Sequence, residues 1–291
     1  MKKRILSTLA LWGGLFGVVY LLNIHGGILI LTILSAGAQW ELYHIWQKAG
    51  RRVAPTAGVL AGVLLIPSAY YLRVHDATAN LVKDDWAAIG ILGIAAVLIA
   101  WLMMRIFPPK TRFPGEALMP TALGVLYVPF LLQFLLHLYL LFGERGAGGL
   151  FLCVWVIVTV KFTDMGALLV GKFFGKNKMA PTLSPKKTWE GAIGGTLFSV
   201  LGSILTAKIG NQYLELGFEF NLGVAALLAL PISITGQLGD LVESGFKRQA
   251  GVKDSGHSIP GIGGALDLMD SLIFTAPLAY LLIAIFGTGQ S

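Results

Sequence analysis

Apolar runs of about helix-spanning length repeat along the chain, separated by short polar segments. Nine of them stand out, at roughly 5–22, 26–46, 54–72, 86–107, 117–142, 148–170, 189–208, 221–239 and 268–286. A helix needs ~20 apolar residues to cross a bilayer. In lipid, only a helix or a closed barrel can satisfy its own backbone hydrogen bonds. Several runs begin or end at Trp, Tyr, Lys or Arg, the residues that anchor at membrane interfaces. Pro67, Pro129, Pro231 and Pro277 fall inside runs; such prolines are tolerated where neighbouring groups re-satisfy the backbone. The pattern predicts an all-α, polytopic transmembrane helix bundle of about nine spans. Met1-Lys2-Lys3-Arg4 before the first run resembles a signal peptide, but the run is too long for a cleaved core and is read as a retained span. No soluble domain, repeat or low-complexity tract is visible. The chain divides into a region of five spans (1–147) and one of four spans with two polar loops (148–291).

Charge orients this bundle. Lys and Arg total 22 of the 291 residues, and Asp and Glu total 15. With the N-terminus in the cytoplasm, Arg73, Lys83, Arg145 and Lys208 fall in outer segments and Lys161 within a span. The other seventeen basic residues lie on the inner side, as the positive-inside rule requires. Only 13% of residues are charged, against about 25% in soluble domains. The net charge of +7 therefore points to an anionic lipid surface and not to nucleic acid. Cys153 is the one cysteine, which excludes an internal disulfide.

Two inner segments carry more than anchoring charge. The first runs from Gly171 to Gly191 and includes Lys172, Lys176, Lys178 and Ser184-Pro185-Lys186-Lys187-Thr188-Trp189-Glu190. A helix start near Thr188 would add unpaired N–H groups to the lysine charge, a combination suited to phosphate. The second runs from Gly239 to Ser271 and holds the carboxylates Asp240, Glu243, Asp254, Asp267 and Asp270. Asp267 and Asp270 are three apart, so on a helix they share a face. Two carboxylates that close repel, and a divalent cation resolves the repulsion. Oxygen ligands without a His or Cys cluster favour Mg²⁺. The alternative is a helix N-terminal cap with acidic first-turn residues. Pro260 to Gly264 is too glycine-rich for helix and could bring N–H groups to an anion. Asp164, inside the sixth span, marks a bundle-interior site or a pair with Lys161. Glu41, at the inner end of the second span, is ambiguous. His257 reads as a solvated loop residue, and the other histidines as interfacial or packing residues.

The same two segments resemble the phosphatidate cytidylyltransferase (CDP-diacylglycerol synthase) family. The family signature near the C-terminus is matched by Ser244, Lys247, Arg248, Lys253, Asp254, Gly256, Pro260, Gly261, Gly263, Gly264, Asp267 and Asp270. An upstream pattern is matched by Asp164, Gly171, Gly175, Lys176 and the stretch Ser184 to Gly191. The likeness spans roughly 160–275. Ile262 and Leu268 stand where the family has His and Arg. The resemblance implies transfer of a cytidylyl group from CTP to phosphatidic acid, giving CDP-diacylglycerol and pyrophosphate. For this reaction Asp240, Asp267 and Asp270 are expected to hold one or two Mg²⁺, with Asp164 and Lys253 as catalytic partners and a monovalent cation as a further cofactor. Ser184, Lys186, Lys187, Thr188, Glu190, Ser244, Lys247, Arg248, Asp254, Gly261, Gly263 and Gly264 would then bind substrate. The implied setting is the inner (plasma) membrane, with the site facing the cytoplasm and a homodimer as the assembly. The competing readings are a CTP-dependent lipid or polyprenol kinase and a membrane transporter. A transporter would line a path through the bilayer with polar groups, whereas here the acids gather at one end. The D-G-x-x-A-R pattern of CDP-alcohol phosphatidyltransferases does not occur.

Overall fold

The computed structural model describes residues 2–74, 93, 98, 101, 115–141, 147–256, 258 and 263–287. The fourth expected span, 86–107, lies mostly outside them. The described residues form α1 (Lys2–Lys48), α2 (Pro55–Val74), α3 (Gly115–Val125), α4 (Phe134–Leu140), α5 (Ala147–Phe174), β1 (Lys178–Ala180), β2 (Ser184–Thr188), α6 (Trp189–Tyr213), α7 (Leu222–Gln249) and α8 (Ala265–Leu282). A π-helical turn, Leu126–Phe130, follows α3, and a second, Ile283–Gly287, follows α8. α1 is interrupted at Asn23, whose φ of 49° and ψ of −131° are not helical. This break falls in the gap between the first two expected spans.

Among the described residues, six helical stretches are long and apolar enough to cross a membrane: Leu21–Lys48, Glu116–Leu140, Ala147–Phe174, Trp189–Tyr213, Leu222–Gln249 and Ala265–Phe286. α2 is apolar but shorter in its qualifying stretch, Pro55–Tyr71. The protein is thus a mostly helical, polytopic membrane protein. Its one β-sheet among the described residues is the antiparallel hairpin β1–β2.

By its internal contacts the chain forms two compact units. One comprises Met1–Gln133 with Phe246–Met269, the other Phe134–Gly245 with Asp270–Ser291. In the first, a buried polar knot joins α1, α2 and α3. Tyr43 donates its hydroxyl to the Thr121 carbonyl at 2.7 Å. Gln39 donates to the Tyr43 hydroxyl at 2.8 Å and to the Gly58 carbonyl at 2.9 Å. The ring of Tyr43 occupies the space a Cβ would need at Gly58 and at Gly124. Buried polar groups must be paired in this way or they destabilise the fold. The aromatic ring of Phe246 packs edge-on against Trp46 and Tyr127, which fixes the end of α7 within this unit.

In the second unit, small residues let helices approach closely where no hydrophobic force drives them together. Gly166 of α5 faces Phe198 of α6, and Gly194 and Gly202 of α6 face Val170 and Phe162 of α5. Trp155 donates its indole N–H to Ser203 at 2.9 Å, and Ser203 donates to the Ala225 carbonyl of α7 at 2.7 Å. Further along α7, Gly236 packs against Thr275 and Ser271 of α8. At Gly239 a Cβ would lie 2.7 Å from the Asp270 carbonyl oxygen and 3.3 Å from the Ser271 Cα. That contact is backbone and cannot swing aside. Gly239→Val is expected to overpack the α7–α8 seam by ~1–3 kcal/mol. A lowered thermal unfolding midpoint of the detergent-solubilised protein would register it, and an unchanged midpoint would contradict this packing.

Candidate active site

The close approach at Gly239 has a chemical result one residue later. Asp240 and Glu243 project from α7 one helical turn apart, and Asp270 comes from the first turns of α8. Carboxylate oxygens of the three all lie within 4.8 Å of one another. Glu243 is fully buried, and Asp270 is buried at 7% exposure. Three carboxylates gathered this tightly repel one another unless protons or cations offset them. Part of the offset is built in: Lys187, at the end of β2, places its ammonium 2.7 Å from Asp240 Oδ2. Its second contact is the Gln237 carbonyl at 3.4 Å. Ser244 donates to Asp240 Oδ1 at 3.5 Å, and the Ser271 N–H donates to Asp270 Oδ1. Asp164 of α5 is paired with Lys161 at 3.3 Å. Asp164 is also near enough to Asp240 and Asp270 for their charges to interact. The donor set is carboxylate oxygen only, which suits a hard cation such as Mg²⁺ and not zinc or copper.

The lysine segment reaches this cluster through the hairpin. Thr188 caps α6, accepting a hydrogen bond from the Gly191 N–H at 3.1 Å, so the helix starts where the sequence placed it. Glu190 is occupied in holding the hairpin: its carboxylate accepts from the Asn177 N–H at 3.1 Å, Asn177 Nδ2 at 2.6 Å and the Lys176 N–H at 3.2 Å. Lys186 is exposed and Ser184 half-buried. Of the hairpin's expected phosphate-binding lysines, Lys187 faces the acids and Lys186 stays open.

The other unit holds a second cluster. Lys247 Nζ lies 2.9 Å from Asp267 Oδ1, and the Gly264 N–H donates to Asp267 Oδ2 at 2.9 Å. Asp267 is the third residue of α8 and reaches back to the residue before it, as the second half of a capping box does. Asp267 thus caps the start of α8, and both of its oxygens are engaged. Gly263 has φ +132°, a conformation open to glycine. Arg248 is exposed and donates to the Val252 carbonyl at 3.2 Å; Lys253 and Asp254 are exposed. Gly261, His257 and Ile262 lie outside the described residues. Two acids outside the expected site set are prominent. Glu243 stands beside Asp240 at the same three-residue spacing as Asp267 and Asp270, and that spacing was its signal. Glu41, buried at 5% exposure, gave no such signal.

Comparison with known proteins bears on what these groups do. A family model described as "Cytidylyltransferase family" matches residues 2–286. Over 145 residues the chain is 41% identical to a protein of Staphylococcus haemolyticus (strain JCSC1435) named phosphatidate cytidylyltransferase, covering 50% of this chain and 54% of that one. Over 147 residues it is 44% identical to the protein of the same name in Staphylococcus aureus (strain COL), again covering 50% and 54%. The chain thus spans about half the length of the curated relatives it matches.

Proposed function

Because this chain belongs to the cytidylyltransferase family, we propose that it transfers a cytidylyl group from CTP to phosphatidic acid in phospholipid biosynthesis. The observation that carries the reading is the convergence of Asp240, Glu243 and Asp270 beside Lys187. A tight acidic cluster with an adjacent ammonium suits the meeting of two polyanions and has little use in a helix bundle otherwise. An oxygen of the lipid phosphate attacks the α-phosphorus of CTP. A new P–O bond forms, and the bond from that phosphorus to the β-phosphate oxygen breaks, releasing pyrophosphate. The nucleophile is already anionic, so no strong general base is required; positioning and charge neutralisation supply most of the barrier reduction.

Asp240, Glu243 and Asp270 would hold Mg²⁺, which when bound offsets phosphate charge and polarises the reacting phosphorus. Lys187, Lys186, Lys247, Arg248 and Lys253 contribute fixed positive charge for phosphates. Asp267 keeps Lys247 in place and frames the start of α8. Asp164 tempers Lys161 beside the acids. The acyl chains remain among the apolar helices, so only the headgroup has to reach the charged residues. Nine spans with a cytoplasmic N-terminus in the inner (plasma) membrane put both polar segments on the side where CTP arrives, and a homodimer is the proposed assembly. The test is to incubate purified protein in lipid nanodiscs with radiolabelled CTP, Mg²⁺ and phosphatidic acid. Label should enter the lipid fraction, stop on chelation with EDTA, and require phosphatidic acid. Label transfer to a polyprenol, or none at all, would overturn the reading.

A further inference from the structure

We propose that Glu41, on the first long helix, is a positioning residue for this reaction, tying Ser255, Ser258 and the first turn of α8 into place. The inference rests on the function proposed above and extends it to a residue far away in sequence.

Glu41 is a buried carboxylate with three donors converging on it. The Leu266 N–H donates to Oε2 at 2.9 Å. The Ser255 hydroxyl donates to the same oxygen at 3.1 Å, and the Ser258 hydroxyl donates to Oε1. Gly256 and Gly264 pack directly on this group: a Cβ at either would fall on the Glu41 carboxylate. Leu266 is the second residue of α8, so a negative charge there also meets the positive end of the helix dipole. The contact ends one residue from Asp267. Ser255 adds a second link, because its hydroxyl lies within hydrogen-bonding reach of Asp267 as well. Gly264, which packs on Glu41, supplies the N–H that holds Asp267 Oδ2. Glu41 therefore sets where Asp267 sits, and through it where the Lys247 ammonium is held. Glu41 touches neither substrate in this scheme; it acts through Asp267 and Lys247.

Glu41→Gln tests the idea with little change of shape. An amide turns one acceptor oxygen into a donor, which then opposes donors already in place. The expected result is a kcat about 10–100-fold lower, the range seen when a supporting partner of a site residue is lost. KM for CTP and for phosphatidic acid should change by less than about twofold, since the approach of charge is kept and only its alignment is lost. Hydrogen–deuterium exchange should rise in peptides covering 253–267 and not elsewhere. The double variant Ser255→Ala/Ser258→Ala, which keeps the carboxylate, should reproduce both effects and carries the test if Glu41→Gln does not fold. Wild-type kcat in the variants, or a kcat loss matched by an equal loss of folded protein, would overturn the proposal. So would unchanged exchange in that segment, a readout that needs no turnover. An inactive wild-type protein whose exchange responds as expected would instead refute the proposed reaction and leave the tie standing.

Discussion

Asp270→Asn should abolish lipid labelling from CTP, with a fall in kcat/KM of about 1,000-fold or more, while leaving insertion and helix content unchanged. Asp270 is the α8 contribution to the acidic cluster and is buried. The substitution keeps its size and removes one negative charge from a set of three. Loss of a metal-binding carboxylate removes several kcal/mol of charge stabilisation, and each ~1.4 kcal/mol is tenfold in rate. The neighbours should hold their places, because the α7–α8 approach depends on Gly236 and Gly239, not on this side chain. Near-normal turnover in Asp270→Asn would remove the cluster from the mechanism. Wild-type protein in which Mn²⁺ replaces Mg²⁺ should retain activity, since an all-oxygen donor set accepts either ion.

The parts of this molecule that were legible in its sequence are those that lipid dictates in one dimension. Spans at 26–46, 117–142, 148–170, 189–208, 221–239 and 268–286 each coincide with a long apolar helix, because burial in hydrocarbon needs only length and apolarity. The helix start at Thr188 was legible because a hydroxyl cap is a local device. The hairpin β1–β2 was not, since the residue that fixes it, Glu190, acts across thirteen positions on Asn177. Asp240 and Asp270 were expected together and do come together. Asp267 was expected with them, yet its carboxylate is taken by Lys247, twenty positions away, and by the helix start. The family signature begins at Ser244, one residue past Glu243, so the most buried acid of the cluster lies just outside it. Glu41 lies 225 positions from Leu266, and no spacing rule reaches that far.

The ligand set can be decided by comparing Glu243→Gln with Asp267→Asn. Glu243 is fully buried within the cluster, whereas Asp267 is held by an ammonium and a backbone N–H. If Glu243 helps to hold the cation, neutralising it weakens cation binding directly. Half-maximal activity should then require about tenfold more Mg²⁺, and turnover at saturating Mg²⁺ should still fall about 100-fold, given the several kcal/mol a bound cation contributes. Asp267→Asn leaves the Lys247 ammonium without its partner and alters the start of α8. Its effect should appear mainly as a lower kcat, as for Glu41→Gln, with the Mg²⁺ requirement within about twofold of wild type, because a phosphate-binding charge held out of line costs alignment and not cation binding. The reverse outcome, a raised Mg²⁺ requirement in Asp267→Asn and none in Glu243→Gln, would return the metal to Asp240, Asp267 and Asp270. It would also mean that Lys247 must let go of Asp267 before the cation binds, so that the ion pair at 2.9 Å belongs to a resting state of the enzyme.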